Sequence, residues 1–125
     1  MSLLLDTHAL LWWLADAPAL SKEAREAIGD QDRIVYVSAV TAWEISVKRA
    51  RGKVEAPGDL AAELTANAFQ ELPISAAHAT AAGQLPNHHR DPFDRMLVAQ
   101  AQIENLTLVT RDKNIAKYEV AMLKA

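Results

Sequence analysis

The pattern of apolar and polar positions divides the chain into short segments with the periods of strands and helices. The run Leu3-Leu4-Leu5, bounded at once by Asp6, is typical of a short strand covered on both faces, and an apolar helical segment follows at residues 9–14. Residues 34–37 are β-branched and aromatic, which predicts a second strand. Further strands are predicted at residues 71–74, 106–109 and 120–123. The first of these three is an edge strand, because its Pro cannot donate to a neighbouring strand.

Helical segments separate these strands, and each one after the first opens with a Ser or Asp N-cap or with a Pro in the first turn. Residues 83–90 are polar and predict a loop. Because strands alternate with helices, we expect an α/β fold with a mainly parallel sheet of about five strands and helices on both faces. The predicted helices cover residues 39–50, 57–67 and 93–104, with shorter ones from the Ser21 cap to Gly29 and from the Ser75 cap to Ala82.

Length and composition indicate a single domain over residues 1–125, without a repeat or a linker. The absence of cysteine excludes disulfides and thiolate metal sites and fits a reducing cytoplasm. The first apolar run is cut by Asp6 and has no basic region before it, so neither a signal peptide nor a membrane span is expected. The net charge of −3 argues against a general polyanion-binding surface, although bound divalent cations would reverse the local sign at an acidic site.

Two acids follow predicted strands. Asp6 ends the first strand, and Asp112 comes shortly after the strand at residues 106–109. In a parallel sheet the carboxyl ends of the strands share one edge, so these two carboxylates can converge there. The alternative is that each acid only caps the turn that follows it.

Glu44 lies on the apolar side of its predicted helix. Val40, Glu44 and Val47 are spaced i, i+4 and i+7, which places them on one stripe of that helix. A carboxylate on an apolar face is costly unless a positive group meets it. Glu44 is therefore a metal ligand, or pairs with Arg or Lys, or lies at the edge of the core.

Asp91 and Asp94 open the last long helix. Asp91 has the position of the N-cap, Pro92 that of the first helical residue, and this explanation is sufficient for Asp91. Asp94 favours the helix dipole but also shares a face with Leu97 and Val98. We therefore expect the Asp94 carboxylate to point towards the buried side of the helix.

Several carboxylates at one sheet edge cannot all ionise without cations, because like charges raise each other's pKa. Oxygen ligands of this kind suit Mg²⁺ or Mn²⁺, and such a site activates water for phosphodiester cleavage. The chain has no His pair spaced for zinc on a helix, no Gly-rich phosphate loop and no nucleophile elbow. His88 and His89 are interpreted as solvated loop residues, and His8 either orients Asp6 or has a structural role.

Four segments, in this order, make the chain resemble a PIN-domain ribonuclease, specifically the toxin component of a VapBC-type toxin–antitoxin pair. The resemblance covers nearly the whole chain and is weakest over residues 57–90. The matching segments are Leu4-Leu5-Asp6-Thr7-His8, Ser38-Ala39-Val40-Thr41-Ala42-Trp43-Glu44-Ile45, Asp91-Pro92-Phe93-Asp94-Arg95-Met96-Leu97-Val98-Ala99-Gln100-Ala101 and Leu108-Val109-Thr110-Arg111-Asp112.

The resemblance implies an α/β/α sandwich that forms a homodimer and cuts RNA with metal-activated water. It also implies a cognate VapB-like antitoxin whose C-terminal segment blocks the active-site groove. Thr7 and Thr110 lie where the family often has a small hydroxyl residue that supports the site, and Asp91 is an additional acid, which leaves open whether it contacts metal. The implied ligands of Mg²⁺ or Mn²⁺, which are also the implied catalytic residues, are Asp6, Glu44, Asp94 and Asp112.

Basic residues near these acids are candidates for holding RNA phosphates. A run after the Glu44 helix is equally typical of a solvated helix end, which favours cations. Trp12 and Trp13 are predicted to lie in the core or at a dimer interface rather than to stack on bases. The basic candidates are Lys48, Arg49, Arg51 and Lys53 in the run and Arg90, Arg95 and Arg111 beside the acids.

Other functions are compatible with parts of this pattern. A receiver domain of a response regulator has this length and an acidic Mg²⁺ site, but it needs a phosphoacceptor Asp after a middle strand, where this chain has Ser38. A binding module with a vestigial site is disfavoured because all four acids are present. A structure-specific DNA nuclease stays open, because an acidic site does not itself select RNA.

Overall fold

The computed structural model describes residues 1–125 and contains one sheet of five parallel strands. The first strand lies at its centre, in the order β3-β2-β1-β4-β5. The sequence prediction of a mainly parallel sheet of about five strands is confirmed. The strands are β1 (Leu3–Leu5), β2 (Val35–Ser38), β3 (Gln70–Leu72), β4 (Thr107–Thr110) and β5 (Met122–Lys124).

Six α-helices and one 3₁₀ turn, Ile115–Lys117, connect the strands. None of the helices combines the length and the apolar character that spanning a bilayer requires. The helices are α1 (Thr7–Leu14), α2 (Lys22–Gly29), α3 (Ala39–Ala50), α4 (Leu60–Ala66), α5 (Ala76–Gln84) and α6 (Pro92–Glu104).

Two apolar layers cover the two faces of the sheet, because successive side chains of a strand point to opposite faces. Leu3 and Leu5 pack with residues of α1, α2 and α4. Leu4 packs on the other face with Leu97 and Val98 of α6. The helix α3 contributes Val40 to the second layer and Ile45 to the first, so it links them. Helices on both faces make the fold an α/β/α sandwich, as expected.

The observed element boundaries differ from the predicted ones where a cap was misassigned. The helix α1 begins at Thr7, because Asp6 is its N-cap and accepts from the backbone N–H of Ala9. The helix α4 begins at Leu60 and not near Pro57, because Asp59 supplies the cap. The helix α5 continues through Gly83 to Gln84, so the predicted loop starts two residues later. Strands β2, β4 and β5 are also displaced by one or two residues.

Candidate metal centre

The register of the sheet places the ends of β1 and β4 side by side. Leu5 is paired with Val109, so Asp6 and Thr110 follow at the same level of the sheet. Asp6 is buried, and its Oδ1 accepts from the backbone N–H of Ala9 at 2.8 Å. Asp112 lies two residues beyond Thr110, and its backbone N–H donates to the Thr110 hydroxyl at 3.1 Å. The two strand-end acids therefore converge, as the parallel topology requires.

One cavity of about 280 Å³ opens at this edge of the sheet. All five acids that the sequence singled out line it, together with the two basic side chains nearest to them. Thr110 is fully buried, and its hydroxyl hydrogen-bonds Asp6. The lining residues are Asp6, Thr7, His8, Trp12, Glu44, Lys48, Asp91, Asp94, Arg111 and Asp112.

Glu44 is buried and has two side-chain partners. The Thr7 hydroxyl donates to its Oε1 at 2.5 Å, and the Lys48 ammonium donates to its Oε2. The hydrogen bond to Glu44 is the main reason why the pKa of Lys48 is raised. The alternative that Glu44 pairs with a basic residue is therefore observed, although 36% of the Lys48 side chain is exposed and Glu44 also faces the cavity. Lys48 therefore forms an ion pair with Glu44, and its ammonium is not simply solvated at the end of the helix.

Asp91 and Asp94 differ in their surroundings. Asp91 is the N-cap of α6, and its Oδ1 accepts from the backbone N–H of Phe93 at 2.8 Å and of Asp94 at 3.4 Å. The Asp94 side chain is largely enclosed, with 19% of it exposed. Burial, and then the charge of Asp91, raise the pKa of Asp94 to about 7, with smaller contributions in the same direction from Glu44 and Asp6. The prediction that Asp94 points to the buried side of its helix is confirmed.

The two strand-end acids have pKa shifts of opposite sign. Burial raises the pKa of Asp6, although a hydrogen bond from the Thr110 hydroxyl opposes the shift. Burial also acts to raise the pKa of Asp112, but hydrogen bonds from the backbone of Ile115, from His89 and from the backbone of Asn114 outweigh it, so this pKa is lowered. The raised pKa means that the ionised carboxylates of Asp6 and Asp94 are disfavoured, and a nearby cation would stabilise them.

His89 was interpreted from the sequence as a solvated loop residue, and this interpretation is wrong. Its Nε2 lies 3.0 Å from Oδ2 of Asp94 and 3.2 Å from Oδ2 of Asp112, and only 12% of its side chain is exposed. No local sequence signal identifies this position, although in the structure Nδ1 of His89 also accepts from the backbone N–H of Asp91 at 3.1 Å. The interpretation is confirmed for His88, which is exposed and packs edge-on against Tyr118.

His8 and Trp12 line the cavity, whereas Trp13 does not. His8 is exposed, lies beside Trp12 and makes no hydrogen bond to Asp6. Trp13 packs against Phe69 in the first apolar layer, as predicted for a core residue. Trp12 packs partly on the same layer and also lines the cavity. The guanidinium carbon of Arg111 lies over its ring, 4.2 Å from the ring centroid.

The other basic candidates are divided between bound and exposed positions. Arg111 lines the cavity and donates to the carbonyls of Ala19 and Ala125. Arg49 donates to the carbonyl of Pro57. The exposed candidates whose side chains make neither a hydrogen bond nor an ion pair are Arg51, Lys53 and Arg90.

Arg95 points away from the cavity and into the loop before α6. Its guanidinium donates to the Tyr118 hydroxyl at 3.4 Å and to four backbone carbonyls. A planar guanidinium with five donors suits this arrangement, whereas an ammonium cannot reach all of these acceptors. The four carbonyls belong to Ala82, Leu85, Pro86 and His89.

We therefore expect Arg95→Lys to destabilise the protein by about 2 kcal/mol, because several carbonyls lose a charged donor. The free energy of unfolding in urea measures this effect. Arg51→Lys is the matched control, since Arg51 is exposed, and it should leave stability within about 0.5 kcal/mol of the wild type. Equal stability of the two variants would contradict the structural role of Arg95.

The donor set of the cavity fits a hard divalent cation. Carboxylate oxygens from two strand ends and two helices face one cavity, where burial and neighbouring carboxylates raise the pKa of Asp6 and Asp94. The carboxylates of Asp94 and Asp112 approach one another around His89, with oxygen and nitrogen atoms of the three side chains within 4.8 Å. Mg²⁺ and Mn²⁺ are bound by such oxygen-rich sites.

Comparison with known proteins agrees with this fold. Ribonuclease VapC22 of Mycobacterium tuberculosis is 28% identical over 120 residues, which cover 94% of this chain and 92% of that protein. VapBC2 from Rickettsia felis, bound to a promoter DNA fragment, matches with a TM-score of 0.73 at 16% identity and 98% coverage of both chains. A toxin–antitoxin complex from Klebsiella pneumoniae matches with a TM-score of 0.69 at 21% identity, covering 98% of this chain and 97% of its own. The family model described as PIN domain matches residues 3–121, and the chain therefore belongs to the PIN domain family.

Proposed function

We propose that this chain is a divalent-metal-dependent endoribonuclease and the toxin of a VapBC-type toxin–antitoxin pair, with residues 1–125 acting as one domain. The observation that carries the proposal is the single cavity into which five carboxylates converge, one of them with its pKa raised to about 7. Ribonuclease VapC22 supports RNA as the substrate, and the VapBC and toxin–antitoxin complexes support a VapB-like partner.

In this proposal the ion is held by carboxylates of Asp6, Glu44, Asp94 and Asp112. When bound, Mg²⁺ or Mn²⁺ neutralises charge on the scissile phosphate and lowers the pKa of a water molecule. Thr7 orients Glu44 through its hydroxyl, and Thr110 hydrogen-bonds Asp6. Asp91 caps α6 and adds negative charge next to Asp94.

Lys48 and Arg111 are the basic residues at the cavity and would meet the phosphates next to the scissile one. Their existing partners, Glu44 and the Ala19 and Ala125 carbonyls, hold them beside the acids. The exposed charges of Arg51 and of Lys53 would extend this contact along the RNA.

One exposed aromatic residue, Trp43, supports a single-stranded substrate. Trp43 is 59% exposed and packs edge-on against Phe93 with ring centroids 5.0 Å apart. These two residues directly precede the acids Glu44 and Asp94. Exposed aromatic side chains are a common platform for unpaired bases in proteins that bind single strands.

The partners and location form part of the same proposal. A segment of the antitoxin would close the acidic cavity with a basic side chain, because a positive group there relieves the repulsion that raises the pKa of Asp94. Homodimerisation and action on cytoplasmic RNA follow from the resemblance to VapC toxins.

The proposal is tested by incubating the purified protein with labelled single-stranded RNA and with single-stranded and double-stranded DNA of the same sequence. We expect cleavage of the RNA in Mg²⁺ or Mn²⁺ and none in excess EDTA. Preferential cleavage of DNA would favour the alternative of a DNA nuclease, which uses the same acidic site. Equal RNA cleavage with and without EDTA would contradict metal dependence.

A further inference from the structure

The imidazole of His89 is the one side chain that joins two of the carboxylates in the cavity. It lies between Asp94, at the start of α6, and Asp112, in the turn after β4. We propose that His89 is a positioning residue that holds these two carboxylates in the arrangement that binds the divalent ion. This inference rests on the proposed function, because it assigns a role within the same site.

The hydrogen bonds of His89 determine which of its nitrogens carries the proton. Its Nδ1 accepts from the backbone N–H of Asp91 at 3.1 Å, so Nδ1 is unprotonated. The ring proton is therefore on Nε2, which hydrogen-bonds Oδ2 of Asp112 and lies 3.0 Å from Oδ2 of Asp94. A protonated Nε2 has no free lone pair, so His89 supports the carboxylates and is not itself a metal ligand.

The backbone of His89 is fixed from two directions. Its N–H donates to the Tyr118 hydroxyl at 3.0 Å, and its carbonyl accepts from the Arg95 guanidinium at 3.2 Å. The Tyr118 hydroxyl in turn donates to the carbonyl of Pro86 at 2.7 Å. Because Tyr118 is buried, these bonds hold the imidazole between the two acids.

Asp112 shows why a side-chain donor is needed in addition to the backbone. Its Oδ1 accepts from the backbone N–H groups of Asn114 at 2.7 Å and Ile115 at 3.0 Å. These bonds fix the carboxylate relative to the turn that follows β4. Those bonds do not fix Asp112 relative to α6. The bond from His89 does, because the same Nε2 also reaches Asp94.

The test is the dissociation constant for Mn²⁺, measured by titration calorimetry on the full chain. We expect His89→Ala to weaken Mn²⁺ binding about 10- to 100-fold, the usual effect of removing a hydrogen-bond donor to a ligating group. His89→Gln keeps an amide donor and should recover part of the affinity. His88→Ala is the matched control, since His88 is exposed and does not contact the acids, and it should bind Mn²⁺ as the wild type does.

Pulsed electron paramagnetic resonance on bound Mn²⁺ separates positioning from ligation. With ¹⁵N-labelled histidine we expect no coupling from a directly bonded nitrogen. Such a coupling, or wild-type Mn²⁺ affinity in both folded His89 variants, would overturn the inference. If the wild type binds Mn²⁺ and cleaves RNA while the His89 variants bind equally well, only this inference fails. If the wild type does not bind Mn²⁺, the proposed function fails with it.

Discussion

Replacing Asp6 by Asn is expected to abolish RNA cleavage while the fold is retained. The substitution removes one negative charge from the centre of the cavity and with it several kcal/mol of electrostatic stabilisation, which corresponds to a loss of about a thousandfold in rate. The Asn side-chain carbonyl can still accept from the backbone N–H of Ala9, so the cap of α1 survives. The measurement is the single-turnover cleavage rate in Mn²⁺, with circular dichroism to confirm folding.

The same substitution gives a test in cells. Expression of the wild type without its antitoxin is expected to arrest growth, whereas cells that express Asp6→Asn should grow. Asp32→Asn is the matched control, because Asp32 is exposed and lies outside the cavity, and it should arrest growth as the wild type does. Wild-type cleavage by purified Asp6→Asn would refute the site assignment, and normal growth of cells that accumulate active wild type would refute the toxin role.

Without divalent ions, the protein is expected to lose stability as the pH rises from about 4 to about 7. The pKa of Asp94 is raised to about 7 in the folded state, compared with about 3.9 in an unfolded chain, and the pKa of buried Asp6 is raised as well. Between these values the folded state binds more protons than the unfolded state, so raising the pH favours unfolding. For Asp94 alone the loss is up to about 4 kcal/mol.

Two comparisons identify Asp94 as the origin of this loss. At pH 8 without metal, Asp94→Asn should be about 2–4 kcal/mol more stable than the wild type, and Mn²⁺ should stabilise the wild type much more than the variant. Asp112 acts in the opposite sense, because its pKa is lowered, so its contribution is lost only as the pH falls below about 4. Urea unfolding across this pH range measures both effects, and a wild-type stability that does not change between pH 4 and 8 would contradict the prediction.

The sequence by itself determined the order of the strands and helices and placed Asp6 and Asp112 at the carboxyl ends of two strands. Both depend on local signals: the apolar run of β1 ends at Asp6, and the run of β4 ends two residues before Asp112. Once the strands are parallel, their carboxyl ends meet at one edge, so the convergence of these residues follows without further information. The helical stripe likewise placed Glu44 on a buried face. The metal-binding and catalytic roles of these acids stay predictions.

The tertiary structure decided which partner each charged side chain meets. Glu44 accepts from Thr7, which is 37 residues away, and His89 reaches Asp112 across 23 residues. Arg95 adjoins Asp94 in sequence but turns away from it to bind the loop carbonyls. Helix periods and caps involve residues within a few positions of one another and can be read from the chain, whereas the partner of a long polar side chain depends on where distant loops return, which local sequence does not encode.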